Sequence, residues 1–334
     1  MEASKKNKVI DFLIKNIIFV VLILLVVVIA IMEPSFLSLR VLRDLLLQNA
    51  TRLIIASGMA FILISGGVDL GAGRLVGLAA VLSATMSQTL TYSRRFYPNL
   101  PELPIILPIL ITVAVCTLVG VINGVLIAKF SIPAFIATLG TQVAIYGANS
   151  LYFDMEPNNS QPIGGIREDL TRLGTGYIGF VPIIILIAIV VLFVVWVILS
   201  KTRFGRNIYA IGGNQEAAVV TGINVNKTLI AVYAIGSALF ALAGVLECAK
   251  SGGATSNYGN QYEFDAIAAC VVGGVSNTGG VGTVPGMIVG VFVFGIINYG
   301  LTYMGVSPYW QLIVKGVIIV AAVGIDVQKY KKER

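Results

Sequence analysis

An all-α, polytopic transmembrane helical bundle is the fold class the sequence predicts. It forms one domain over residues 1–334, with a short cytoplasmic helix inserted between two spans. Three observations carry this. Only 12% of the residues are charged, against roughly 25% in a soluble domain, while 57% are hydrophobic and the mean hydropathy is +0.91. Uncharged runs approaching the roughly 20 apolar residues needed to cross a bilayer recur along the chain. The formal net charge of +7 gathers at the chain ends and in short connections, the pattern of cytoplasmic loops rather than of a nucleic-acid surface.

The first span is Ile17–Met32, extended upstream by Phe12–Ile14. It runs straight into "EPSFLS" without a small-residue cleavage site, so it is expected to be retained rather than removed as a signal peptide. Leu53–Val68, Leu75–Ser93, Leu103–Ala128 and Phe130–Phe153 follow, then Tyr177–Leu199 and Thr228–Leu246. Ala266–Val314 contains 49 residues and no charge, enough for two spans with a break at Ser276–Gly286. The last runs from about Tyr309 to Ile325, giving about ten spans.

Charge sets the orientation. Lys5, Lys6 and Lys8 precede the first span, and Lys329, Lys331, Lys332 and Arg334 follow the last, so both termini are expected in the cytoplasm. An even number of spans satisfies this. It puts Lys201, Arg203 and Arg206 inside and the long polar loop Asp154–Gly176 outside. Arg94 and Arg95, and to a lesser degree Arg40 and Arg43, run against the rule.

Two glycine-rich blocks interrupt the apolar pattern, "SGGVDLGAGR" (Ser65–Arg74) and "GGVSNTGGVGTVPG" (Gly273–Gly286). Setting Gly66 on Gly273 also matches Gly67 with Gly274, Val68 with Val275 and Gly73 with Gly280, which points to an internal repeat around 50–90 and 257–300. Irregular backbone at membrane depth must be buried in protein or face water. Elsewhere, small residues four apart, Gly120 with Gly124 and Gly286 with Gly290, are expected at close helix contacts.

Several chemistries are excluded. The chain has no histidine, no P-loop motif and no paired acid and base at catalytic spacing. Cys116, Cys248 and Cys270 lie in or beside apolar runs with no C-x-x-C spacing, so neither a disulfide framework nor a metal site is indicated. Acidic residues within spans look almost absent: Asp69 and Asp265 fall at span ends and Glu247 closes the seventh. That scarcity argues against coupling to an ion gradient.

The stretch "IGGNQEAAVVTGINV" (Ile211–Val225) stands out. Asn214 is a good N-cap, Gln215–Thr221 has helical propensity with Glu216 in the first turn, and Gly222 is placed to stop the helix. About seven residues make roughly 10 Å of helix, too short to cross a bilayer. A short helix on the cytoplasmic face is either an ordinary loop helix or a handle for another protein.

At these residues the chain resembles a known family. "RFGRNIYAIGGNQEAAVVTGINV" is similar to the cytoplasmic loop of permease subunits of sugar-importing ATP-binding-cassette (ABC) transporters of the ribose/galactoside type. "LISGGVDLGAGRLVGLAA", "PAFIATLGTQVAIYGANSLYF" and "EFDAIAACVVGGVSNTGGVGTVPGMIVGVFVFGIINYGLTYMGVSPYWQLIVKG" resemble further blocks of that family in matching order. The last block is most similar to the galactose/methyl-galactoside branch, with the ribose branch next. The resemblance covers almost the whole chain. Asp154–Gly176, a loop on the side that would meet a binding protein, is the departure.

The resemblance implies a homodimeric inner-membrane pore that binds no cofactor of its own. It implies a cytoplasmic ATPase, two copies or one fused double copy, that uses ATP and Mg. It also implies a periplasmic or lipid-anchored sugar-binding protein outside. Asn214–Gly222 becomes the coupling helix within segment 201–226. Glu216, Ala217, Ala218 and Gly222 match the motif, and Arg203 and Arg206 flank it.

A sugar path needs hydroxyl partners and aromatic faces. Within spans the polar candidates are Asn123, Thr138, Thr141, Gln142, Asn149 and Asn298, and the aromatic ones Tyr146, Tyr299 and Tyr303. Helix–helix hydrogen bonding or packing is the competing role for each. Gln142, Tyr146 and Asn149 share one helical face at i, i+4 and i+7. The alternative functional readings are a stand-alone sugar facilitator or secondary carrier and, more remotely, an intramembrane enzyme.

Overall fold

The computed structural model describes residues 17–331. The charges at Lys5, Lys6, Lys8, Lys332 and Arg334 and the upstream extension Phe12–Ile14 lie outside the described residues. The helices are α1 (Ile17–Met32), α2 (Leu39–Ile64), α3 (Ala72–Met86), α4 (Ile106–Ala128), α5 (Ala134–Asp154), α6 (Glu168–Thr175) and α7 (Ile183–Lys201). They continue with α8 (Arg203–Gly213), α9 (Gln215–Val220), α10 (Val225–Ser251), α11 (Tyr262–Val272), α12 (Val284–Tyr303) and α13 (Pro308–Lys331). A 3₁₀ turn, Pro34–Leu37, links α1 to α2, and a two-stranded antiparallel hairpin, β1 (Tyr177–Ile178) and β2 (Val181–Pro182), precedes α7.

Local sequence explains the starts. Side-chain oxygens of Ser38, Thr202, Asn224 and Thr283 accept from backbone N–H groups three residues on, at Val41, Gly205, Lys227 and Gly286, and so cap α2, α8, α10 and α12. Gly252, at φ +71, stops α10.

Among the described residues five helices are long and apolar enough to cross a membrane: α2, α4, α7, α10 and α12. Of these α2 is the least hydropathic and the most buried, with 83% of its most apolar window inside the protein, whereas α7 is the most hydropathic and only 22% buried. Every residue from Ile54 to Ile64 is buried, so this part of α2 is covered all round. The other central helix is α10, which packs on α2, α3, α4 and α6. Small residues bring the helices close. A Cβ at Gly120 would lie 2.5 Å from the Tyr233 carbonyl oxygen and one at Gly124 2.6 Å from Ile230 Cα, so α4 rests directly on the α10 backbone.

The chain reverses between two ends. At one, Ala128 closing α4, Ile211 of α8, Ala218 of α9, Ile223, and Val225 and Leu229 opening α10 form one apolar cluster. At the other, Phe153 closing α5, Leu170 of α6, Cys248 and Ala249 of α10, and Ala254 form another. Bridges Gln88–Ile166 and Ile163–Ala254 tie the Asp154–Gly176 loop to the ends of α3 and α10. Arg167 forms an ion pair with Asp169 and donates to the Leu103 carbonyl (2.8 Å). Its hydrogen bond holds the Asp169 carboxyl below the usual carboxylate range. Arg94 and Arg95 lie on this same end. They bond locally, Arg94 to the Tyr92 hydroxyl and Arg95 to the Pro98 and Leu100 carbonyls, so they staple their own connection between α3 and α4. Arg43 lies 5.5 Å above the Tyr177 ring.

One expectation changes. The third span is shorter than Leu75–Ser93, ending at Met86. Gly66 and Gly274 both have left-handed φ, +82 and +83. Both donate to the carbonyl three residues back, Leu63 and Val271, while Gly67 and Val275 donate to Ile62 and Cys270. The same Schellman turn thus ends α2 and α11, with Gly66 and Gly274 in the left-handed position of each.

Candidate functional site

The α8–α9 hairpin forms most of the 201–226 segment. Asn214 Oδ1 accepts from the Ala217 N–H (2.9 Å), and Gly222 at φ +82 ends the turn after Val220. Arg203, Arg206, Glu216 and Ala217 are exposed, and none of the three charged residues has an ion-pair partner among the described residues. Ala218 does not point outward. It is 3% exposed and packs on Ile211, Val225 and Leu229, so it seats α9 on its own chain. Val219 and Val220 take the outward positions, Val220 at 87% exposure.

A second site lies along α5. Thr138, Gln142, Tyr146 and Asn149 contact segments far away in sequence, all from one helical face. Thr138 Oγ1 accepts from the Leu70 N–H (3.2 Å), and Gln142 Nε2 donates to Glu263 Oε1 (3.2 Å). Asn149 Nδ2 donates to the Ser256 carbonyl (3.3 Å). The Tyr146 ring lies 4.2 Å from the Arg74 guanidinium, which donates to Asn260 Oδ1 (2.8 Å) and Asn257 Oδ1 (3.4 Å). Thr141 bonds only to the Thr138 carbonyl.

This polar wall exists because α11 is short. Its 11 residues give about 16 Å, half a bilayer core. Residues 252–261 supply the remaining depth as irregular chain lying on α3. The room comes from Gly73 and Gly77, where a Cβ would fall 2.3 Å from the carbonyl oxygens of Gly259 and Tyr258. Such backbone belongs inside protein or beside water.

The acids stand at or beside the ends of their elements, as expected, but several of them are buried. Asp69, Glu247 and Glu263 are buried at 0, 4 and 2% exposure. Glu247 accepts from Thr51, Lys250 and Tyr258, and Asp265 pairs with Arg52 (2.9 Å) and Lys315 (2.9 Å). Asp69 accepts from the Gly71 N–H (2.7 Å) through one oxygen, and the other is buried without a partner. Span counting treats the acids as end markers, so it misses their burial. A carboxylate inside the apolar "YEFDAIAACVV" is the signal that singles out Glu263.

The remaining path candidates lie elsewhere. Among the described residues, Asn123, fully buried on α4, has no hydrogen-bond partner for either side-chain polar atom, and neither has Asn298 on α12. Tyr299 and Tyr303 stack at 6.0 Å and pack on Phe36, while the Tyr303 hydroxyl hydrogen-bonds to Ser35 (2.6 Å). They hold the turn between α1 and α2.

Among the described residues no group of histidine, cysteine or acidic side chains could hold a metal ion. The wall offers hydrogen bonds, an aromatic ring and one guanidinium beside two buried carboxyl groups. That chemistry suits an uncharged polyhydroxylated molecule.

The chain is 48% identical to the galactose/methyl galactoside import permease protein MglC of Haemophilus influenzae and 45% to that of Escherichia coli, each over 100% of both chains. It is 36% identical to the ribose import permease protein RbsC of Bacillus subtilis, over 93% of this chain and 92% of the relative. No solved structure matches it. The family model described as "branched-chain amino acid transport system / permease component" matches residues 41–323, and the chain belongs to that permease family.

Proposed function

We propose that the chain is the membrane subunit of an ABC importer for a galactose- or methyl-galactoside-like monosaccharide. The sugar passes the α5 wall, an ATPase that binds ATP and Mg docks on α8–α9, and a sugar-binding protein delivers from the other face. A second copy of the chain completes the pore in the cytoplasmic membrane. Both termini and the hairpin then face the cytoplasm. The relatives matched over their full length, galactose/methyl galactoside import permeases by name, support the sugar class.

The observation that carries the path is Arg74, Gln142 and Tyr146 at the mid-length of α5, with Tyr146 42% exposed. A guanidinium and an amide at that depth belong beside water, not lipid. The test is reconstitution. Liposomes holding the permease alone should take up no galactose, and uptake should appear with ATPase, ATP, Mg and binding protein. Uptake by the permease alone would instead establish a facilitator. Glu216→Lys should lower sugar moved per ATP while leaving the permease in the membrane. The native cysteines are all buried, so a cysteine at position 220 can be labelled in the wild-type background. Labelling from the cytoplasmic face alone is expected.

A further inference from the structure

The hairpin and the two interrupted helices meet at one point. Gly212, on the last turn of α8, lies against the end of α2: a Cβ there would sit 1.9 Å from the Ile64 carbonyl oxygen and 2.5 Å from the Gly280 nitrogen. Gly280 donates its N–H to that same carbonyl (2.8 Å). Gly279, at φ +90, lies so close that its Cβ would fall 2.7 Å from the Gly212 carbonyl oxygen and 2.8 Å from Gly66 Cα. One turn back along α8, the Tyr209 hydroxyl donates to the Gly282 carbonyl (2.7 Å). Three stretches of backbone therefore touch with no side chain between them.

Both partners of the hairpin lead to the polar wall. From Gly66 the chain passes Asp69 and Leu70, which is bonded to Thr138 of α5, and reaches Arg74. From Gly273 the helix α11 runs back to Glu263, about ten residues or roughly 15 Å away. Backbone in direct contact does not compress, so a displacement on one side must appear on the other.

We infer that Gly212 and Tyr209 form the linkage by which movement of the α8–α9 hairpin reaches the α2–α3 turn and α11, and through them the wall. Tyr209 is a positioning residue that touches neither sugar nor ATPase. The inference rests on the reading of α8–α9 as the ATPase-docking element.

The test uses the assembled importer in proteoliposomes, with ATP hydrolysis and galactose uptake measured in the same vesicles. Tyr209→Phe keeps the ring and removes one hydrogen bond. Sugar moved per ATP should fall about threefold, with the same amount of assembled complex. Gly212→Ala should lower the ratio about tenfold. Glu216→Lys separates the two readings. If it alters neither ATPase binding nor the ratio, the docking assignment fails and the linkage with it. If it acts while Tyr209→Phe and Gly212→Ala both keep the wild-type ratio, the linkage is wrong and the docking assignment stands.

Discussion

The α8–α9 hairpin and the α5 wall are built in opposite ways. The hairpin is local: Thr202, Asn214 and Gly222 shape it within about twenty residues, and its outward side chains hold nothing in place. The wall is assembled from α3, α5, the 252–261 segment and α11, and its pairs span 68 to 186 residues of sequence. A local element suits a surface that another protein must grip and release. A long-range one suits a site whose geometry changes only when several helices move together.

Four substitutions probe this contrast. Gly73→Val has the largest expected effect, because its Cβ would fall 2.1 Å from Glu263 Oε2 and 2.3 Å from the Gly259 carbonyl oxygen. It should cost about 3 kcal/mol or more and lower the melting temperature of the detergent-solubilised protein. A wild-type melt would show that the 252–261 segment does not lie on α3. Val220→Asp should leave the melt unchanged but weaken co-purification of the ATPase about tenfold, since an exposed apolar group at a docking tip acts only on the partner. Tyr146→Ala should slow sugar uptake about threefold, and Tyr146→Phe should restore it, because the ring rather than the hydroxyl meets Arg74. Asn214→Ala is the mildest, about 1 kcal/mol of local helix stability. Amide exchange should speed up at Ala217–Thr221 and nowhere in α10, with Asn214→Ser retaining protection.

The same contrast decides what was legible in the sequence. Cap and stop signals act over three or four residues, so Asn214 and Gly222 locate α9, with only Thr221 misplaced by one position. The helix α8 carries Phe204, Ile208 and Ile211 at i, i+4 and i+7 after a Thr202 cap. Its glycine content hides that pattern. On α5, periodicity shows that Gln142, Tyr146 and Asn149 share a face, but not what they face. Arg74 and Glu263 become their neighbours only once α11 stops short and the chain after α10 turns back along α3. Asn123, Asn298, Tyr299 and Tyr303 are polar or aromatic within apolar helices for the same compositional reason, yet the folded chain sets them apart from the α5 wall, the two tyrosines against Phe36.

The burial of α2 bears on how this protein is made. Its principal cover, α10, begins only at Val225, so synthesis of α2 is complete well before that surface exists. An inserted α2 has lipid on that surface before α10 arrives and protein afterwards. Two solvents select its composition in succession. The first asks for enough apolar character to stay inserted. The second asks for small positions such as Gly58, where a Cβ would lie 2.9 Å from the Gly236 carbonyl oxygen. The modest hydropathy of the most buried long helix matches a segment that ends covered by protein rather than lipid.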